Sequence, residues 1–403
     1  KDLSGIIRSS SNSILYPSPK HSGQAPKGLL KEKSRNALLN LMILVLTLFR
    51  GLRWNTGTDW EQFLEVFQYV DEDSALVFIR NTGEILEPGY TFLNYLVKCI
   101  FDHYTAFLLI SNFIVLICYK FFAVNIITRY QCLAFVMIII TYQFFPVRQN
   151  IAGAILMVSL VYFIKKKYCG FILFAIVASL FHKSSLIVLP LIFLSRKNFN
   201  NQFYIIAYLI IPFLNISFLN NGIVALSPYI CLISEDFDTA VKNYMNYGTG
   251  VIPFSLGSYL YYFLLLLLLF CYVRKVALTT ELSGKFNIIF NLFFINIWGM
   301  KMAQITGIFG LIRLFSYFDF CINILFCFYV LLQIDGKLKV VKNSFFISCF
   351  SFLFFFGFYF NKSIRSYSNL IFPYYSVFNS SYHRYGNPEL KNTEDSFFEI
   401  ILK

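Results

Sequence analysis

Residues 104–127 read YTAFLLISNFIVLICYKFFAVNII. This run decides the fold class, because a helix built from it is apolar on nearly every face and exceeds the roughly 20 residues that cross a bilayer's hydrocarbon. The rest of the chain agrees. Of its 403 residues, 57% are hydrophobic, 20% aromatic and only 14% charged, and the mean hydropathy is +0.62. A soluble protein of this length would need a polar surface that these residues cannot supply, whereas lipid solvates apolar side chains all round a helix. Further apolar segments lie at roughly 36–49, 130–146, 150–164, 168–181, 184–194, 203–219, 255–273, 286–300, 311–333 and 343–360. The expected architecture is all-α, a polytopic transmembrane helical bundle of about 10–11 spans. Several segments are short, so tilt, snorkelling ends or re-entrant pairs are expected, above all on either side of His182.

Residues 1–35 are rich in Ser, Pro, Gly and Lys and are expected to form a basic, disordered tail. The membrane domain is expected over 36–375, with loops at about 50–103 and 220–254, followed by a polar C-terminal tail at 376–403. Arg129, Lys165–Lys167, Arg196, Lys197, Arg274, Lys275, Lys285, Lys337, Lys339 and Lys342 fall in alternate connections, which marks their side as cytoplasmic. The two long loops then face outward. The formal charge of +13 is spread as short runs between apolar segments, a topology signal rather than a nucleic-acid surface. Most of the nine cysteines lie in or beside apolar runs without metal spacing and read as small buried hydrophobes. No Walker, Rossmann or zinc-ligand motif is present, and neither a cofactor nor a metal is expected.

On this topology the unusual polar residues gather at the outward end: Arg53 and Asp59 after the first span, Arg148 and Gln149, His182, and Arg313. Each has an ordinary explanation. Arg53 and Arg148 could snorkel to headgroups, Asp59 could cap a following helix, and His182 could be an interfacial hydrogen-bonder. The eight acids between Gly51 and Tyr90, Glu87 among them, could form a solvated loop, and Trp54, Trp60, Tyr69 and Tyr90 an interfacial belt. Arg313, between Leu311-Ile312 and Leu314-Phe315, is harder to dismiss, because arginine in a span costs on the order of 3 kcal/mol near the helix centre. Three arginines together favour a phosphate ligand, and His182 suits a general base or a phosphate partner.

Five stretches carry a resemblance. They are Leu48-Phe49-Arg50-Gly51-Leu52-Arg53-Trp54-Asn55-Thr56-Gly57-Thr58-Asp59-Trp60; Glu87-Pro88-Gly89-Tyr90 leading to Leu93-Asn94; Phe145-Pro146-Val147-Arg148-Gln149-Asn150-Ile151-Ala152; Phe181-His182-Lys183-Ser184-Ser185; and Arg313 followed by Tyr317. In order and spacing the chain resembles the EpsG-like and Wzy-type polymerases of bacterial exopolysaccharide, capsule and O-antigen. It departs from them at Trp60, where Tyr is usual, and in residues 1–35, which cannot supply the extra membrane segment with which such proteins often open.

The resemblance implies a multi-span glycosyltransferase of the bacterial cytoplasmic membrane. It would join oligosaccharide repeats carried on undecaprenyl diphosphate, as donor and acceptor, at the outer face. A flippase and a chain-length regulator are the partners such a system implies; nucleic acid is not. Arg148 and Arg313 would hold the pyrophosphate, Arg53 a phosphate or the acceptor, and Gln149 sugar or phosphate, while His182 or Asp59 would act as base. A flippase or exporter of lipid-linked sugars, an O-antigen ligase and an acyltransferase are the alternative readings.

Overall fold

The computed structural model describes residues 27–54, 56, 60–79, 85–127, 129–141, 147–213, 256–306 and 309–334. Among these the chain is helical, with one isolated antiparallel bridge between Ile79 and Ile85. The helices are α1 (Lys27–Gly51), α2 (Trp60–Tyr69), α3 (Pro88–Phe101), α4 (Tyr104–Ile126), α5 (Gln131–Thr141), α6 (Val147–Ile164), α7 (Tyr168–Ser179), α8 (Ser184–Ile187), α9 (Leu189–Leu194) and α10 (Asn201–Leu209). They continue with α11 (Leu256–Leu268), α12 (Ser283–Thr306), α13 (Phe309–Phe315) and α14 (Phe320–Ile334), and a 3₁₀ turn, Ser316–Phe318, joins the last two.

Among the described residues four stretches are long and apolar enough to cross a membrane: Tyr104–Ile126, Val147–Ile164, Ser283–Ile305 and Leu311–Ile334. The segments about His182 are shorter. The 12 residues of α7 reach only about 18 Å at 1.5 Å per residue, against roughly 30 Å of hydrocarbon.

Burial shows why the composition is so apolar. On α1, Leu39, Ile43, Thr47 and Arg50 are buried, while Leu41, Leu44, Val45 and Leu48 on the other faces are exposed. The same 3.6-residue period runs along α4, with Phe107, Leu108, Val115, Leu116, Phe122 and Ala123 inward and Phe113 and Ile117 outward. A helix that is apolar on its packed side and on its open side has lipid as its solvent, and this is a helical membrane bundle. The core lies where α4 packs on α1 and α6, α6 on α7, α12 on α13 and α14, and α14 on α5.

Two expectations change. The loop at 50–103 contains α2 and α3, and helix α1 begins at Lys27, within the stretch read as tail. Pro88 explains α3: it sits at the first position, where its missing N–H is not needed. The helix ends at Asp102 in the left-handed region (φ 41°), and the His103 ring then accepts the Thr105 N–H to start α4. Of the cysteines, Cys321 and Cys327 are buried, but Cys169 is exposed on α7. The segment 343–360, the loop 220–254 and the tail 376–403 lie outside the described residues.

Basic side chains collect at one end of the bundle. Lys285 donates to the Asn125 and Ile126 carbonyls at 3.0 and 3.2 Å, and Lys165 reaches the Asn125 side chain. Arg274 binds Asn201 and the Phe199 carbonyl, and Arg196 binds the Tyr168 hydroxyl and the Phe163 carbonyl. Arg148 and Lys165 lie at opposite ends of α6, about 26 Å apart along the axis. The bundle therefore has a basic end and, opposite it, an end that carries Arg148.

Candidate functional site

The site is organised by a residue that sequence reasoning left among the solvated acids. Glu87 occupies the N-cap of α3, but its carboxylate makes no bond to its own helix. It turns instead toward the start of α6 and the turn after α7. Oε2 accepts from Arg148 Nη1 at 2.7 Å; Oε1 pairs with His182 Nδ1 at 2.8 Å and accepts the Lys183 backbone N–H at 3.3 Å. The Glu87 side chain is only 6% exposed, while Arg148 is 15% and His182 24% exposed, so the carboxylate forms the floor and the guanidinium and imidazole the rim. Burial pushes the Glu87 carboxyl upward, but the His182 hydrogen bond and the Arg148 charge outweigh it and hold it at about 2.

Close backbone approach makes this meeting possible. Gly89 N–H donates to the Leu180 carbonyl at 2.8 Å, and a Cβ at Gly89 would meet that oxygen and Leu180 Cβ at 2.8 Å each. Only glycine lets the start of α3 lie against the end of α7. The chain then closes a tight turn through Phe181 N–H and His182 N–H, both bonded to the Ala178 carbonyl, which presents His182 to Glu87. Behind Arg148 the Phe63 ring lies 5.3 Å from the guanidinium carbon, within cation–π range, and Phe63 in turn packs edge-on against Tyr90.

A second polar group adjoins the first. Gln149 Nε2 donates to the Arg313 carbonyl at 2.7 Å and to Ser316 Oγ at 2.9 Å, and Tyr317 OH meets Ser184 Oγ at 3.0 Å. These bonds join the starts of α6 and α8 to the turn after α13. Beneath them Asn296 bridges Asp319 Oδ1 and the Phe315 carbonyl, both at 2.8 Å. A cavity of about 70 Å³ is lined here by Gln149, Asn150, Ser316, Tyr317 and Asp319, room for about two waters or a sugar hydroxyl group.

Of the expected site residues, Arg148, His182, Gln149 and Arg313 are thus drawn to one end of the bundle. The Arg313 side chain is exposed and its carbonyl carries the link to Gln149. Arg53 is buried to 1% and is no snorkelling side chain. Asp59 lies outside the described residues. Trp60 is buried and packs edge-on against Tyr104, so it belongs to the core and not to an interfacial belt. Glu87, Ser184, Ser316, Tyr317 and Asp319 are additions. The signal for Glu87 was its place directly before Pro88: an N-cap acid starts a helix and is fixed in space, as a loop acid is not. Among the described residues no group of three His, Cys, Asp or Glu side chains could hold a metal ion.

This geometry rests on the same stretches that carried the resemblance, and the family comparison agrees. The family model described as EpsG family matches residues 36–376. The chain belongs to the EpsG family. Neither the curated proteins nor the solved structures compared with it give a significant match. As a member of the EpsG family it is a membrane protein whose family points to a polysaccharide-polymerase type of role.

Proposed function

We propose that this EpsG-family protein is a glycosyltransferase that polymerises oligosaccharide repeats carried on undecaprenyl diphosphate, acting at the outer face of the bacterial cytoplasmic membrane with lipid pyrophosphate as leaving group. The observation that carries the reading is Glu87 holding Arg148 and His182 side by side at the bundle end opposite the basic one. The basic end faces the cytoplasm by the positive-inside rule, so the site faces outward.

The chemistry follows from the pairing. A carboxylate on Nδ1 favours the tautomer with the proton on that nitrogen, which makes Nε2 the basic one. His182 is then set to take the proton of an acceptor sugar hydroxyl as its oxygen attacks the donor's anomeric carbon, and Glu87 stabilises the imidazolium that forms. Diphosphate leaves without needing an acid. As the glycosidic bond breaks, negative charge grows on its oxygens, and a guanidinium already held in place stabilises that state more than the ground state. Arg148 is held in place by its 2.7 Å bond to Glu87 and offers the planar fork that suits a diphosphate, and exposed Arg313 extends the cationic rim. Gln149, Ser316 and Tyr317 offer the neutral polar groups that bind sugar hydroxyls.

The test is a deletion strain restored with wild type, Arg148→Ala, His182→Ala or Arg313→Ala at matched membrane levels, with the surface glycan resolved by size. Deletion should leave carriers bearing a single repeat, and wild type alone should restore long chains. Absence of single repeats from the outer surface would favour export or ligation, and full chains from all three variants would remove the assigned site.

A further inference from the structure

The polar site suits a headgroup, and a cavity of opposite character lies beside it. A cavity of about 310 Å³ is enclosed by α9, α10, α12 and the end of α13, with Leu191, Leu194, Ala207, Ile210, Phe294 and Trp298 among its walls. The polar groups around it bond to one another. Trp298 Nε1 donates to the Ala207 carbonyl at 3.1 Å, Asn291 donates to the Ser195 and Lys197 carbonyls at 2.6 and 2.8 Å, and Tyr204 OH bonds the Asn291 side chain. Sugars and phosphates would lose hydrogen bonds here without replacement, whereas hydrocarbon loses nothing. Protein interiors are close-packed, and a space of this size walled by apolar side chains suits an apolar guest.

Two features identify the guest. Leu194 and Ile210, both wall residues, are 44% and 49% exposed, so the cavity opens on the bundle's lipid-facing surface. The Phe315 ring also lines it, resting on Gly299 where any Cβ would collide. The adjoining residues serve the polar site: the Arg313 carbonyl and Ser316 Oγ bind Gln149, and Tyr317 binds Ser184. One turn of chain therefore faces hydrocarbon space on one side and the Glu87–Arg148–His182 site on the other.

We infer that this cavity seats part of the hydrocarbon tail of the lipid substrate whose diphosphate lies at the polar site, an inference that rests on the function proposed above. The tail enters laterally from the bilayer between α9 and α10, and its occupancy fixes the depth and direction of the diphosphate relative to Arg148. The seat selects substrates by chain, independently of the sugar.

The experiment uses the full chain in nanodiscs and an undecaprenyl diphosphate analogue with a diazirine within its hydrocarbon chain. Mass spectrometry should place the label on α10 and α12 peptides, with competition by undecaprenyl diphosphate and none by added phospholipid. Ala207→Phe and Leu194→Trp, each narrowing the cavity, should weaken the long-chain lipid at least about tenfold, while ten-carbon geranyl diphosphate changes less than about twofold. Label elsewhere on the wild-type chain, equal competition by phospholipid, or parallel loss of long and short lipids overturns the inference. The wild-type labelling stands even if a variant fails to fold. Glycan length is scored separately: a protein that takes the tail in this cavity yet makes no polymer refutes the polymerase reading and leaves the seat intact.

Discussion

Replacing Glu87 by Gln preserves the side chain's size and removes the charge on which the site is built. In the folded protein the carboxyl ionises at about 2 instead of its ordinary 4.5, a depression equivalent to roughly 3 kcal/mol of stability near neutral pH. A folded value below the ordinary one places this contribution fully above about pH 4.5 and removes it as pH falls through about 2. Removal of one partner from a buried ion pair has a similar cost, about 3 to 5 kcal/mol, because the other charge is left buried. Denaturant titration in mixed micelles at pH 7 should therefore find Glu87→Gln less stable by about 3 kcal/mol. The gap should narrow steadily between pH 4.5 and 2, as the wild-type carboxyl takes up its proton. Equal stability at pH 7, or a gap that stays constant over that acid range, would refute the assignment of Glu87 as the ionised anchor of Arg148 and His182.

Other perturbations separate positioning from chemistry. Gly89→Ala must push α3 off the Leu180 carbonyl, so it should cost about 1 to 3 kcal/mol and shorten the glycan chains, read by unfolding and by gel. His182→Ala should slow turnover of purified protein by about 10²- to 10⁴-fold with lipid diphosphate binding retained; a turnover change below tenfold would exclude it as the base. Tyr317→Phe and Ser184→Ala each remove the same 3.0 Å bond, so each should cost about 1 kcal/mol and the double variant little more than either alone. Gly299→Ala meets the Phe315 ring; it should alter labelling of the apolar cavity and, through the Arg313–Ser316 turn, reduce polymer length.

Pattern and composition were sufficient for some of this. The run at 104–127 emerges as α4 (Tyr104–Ile126), and the apolar stretch at 286–300 lies within α12, because lipid rewards any long apolar helix irrespective of its neighbours. The clustering of Lys165, Arg196, Arg274 and Lys285 at one end was legible for the same reason: desolvating a charge forces each to a helix end, and chain order says which end. Arg148, Gln149, His182 and Arg313 could be placed together by counting crossings. What could not be counted was direction within a level. Helices α2 and α3 are short, at 10 and 14 residues, and although Pro88 marks Glu87 as an N-cap, nothing local says that its carboxylate turns from its own helix toward Arg148 and His182.

Whether a carboxylate is solvated or buried between a guanidinium and an imidazole depends on which backbones touch. Here that is decided by the missing Cβ of Gly89 against Leu180, residues 91 positions apart in the sequence. The same holds for Arg53, buried although a helix-end arginine could have snorkelled, and for the apolar cavity, whose walls come from four helices. The sequence by itself determined the solvent, the long apolar helices and the end of the bundle to which the basic runs go, since those are properties of single segments in lipid. The pairing of Glu87 with Arg148 and His182, and the space beside them, are properties of packing between segments, and only the tertiary structure decided them.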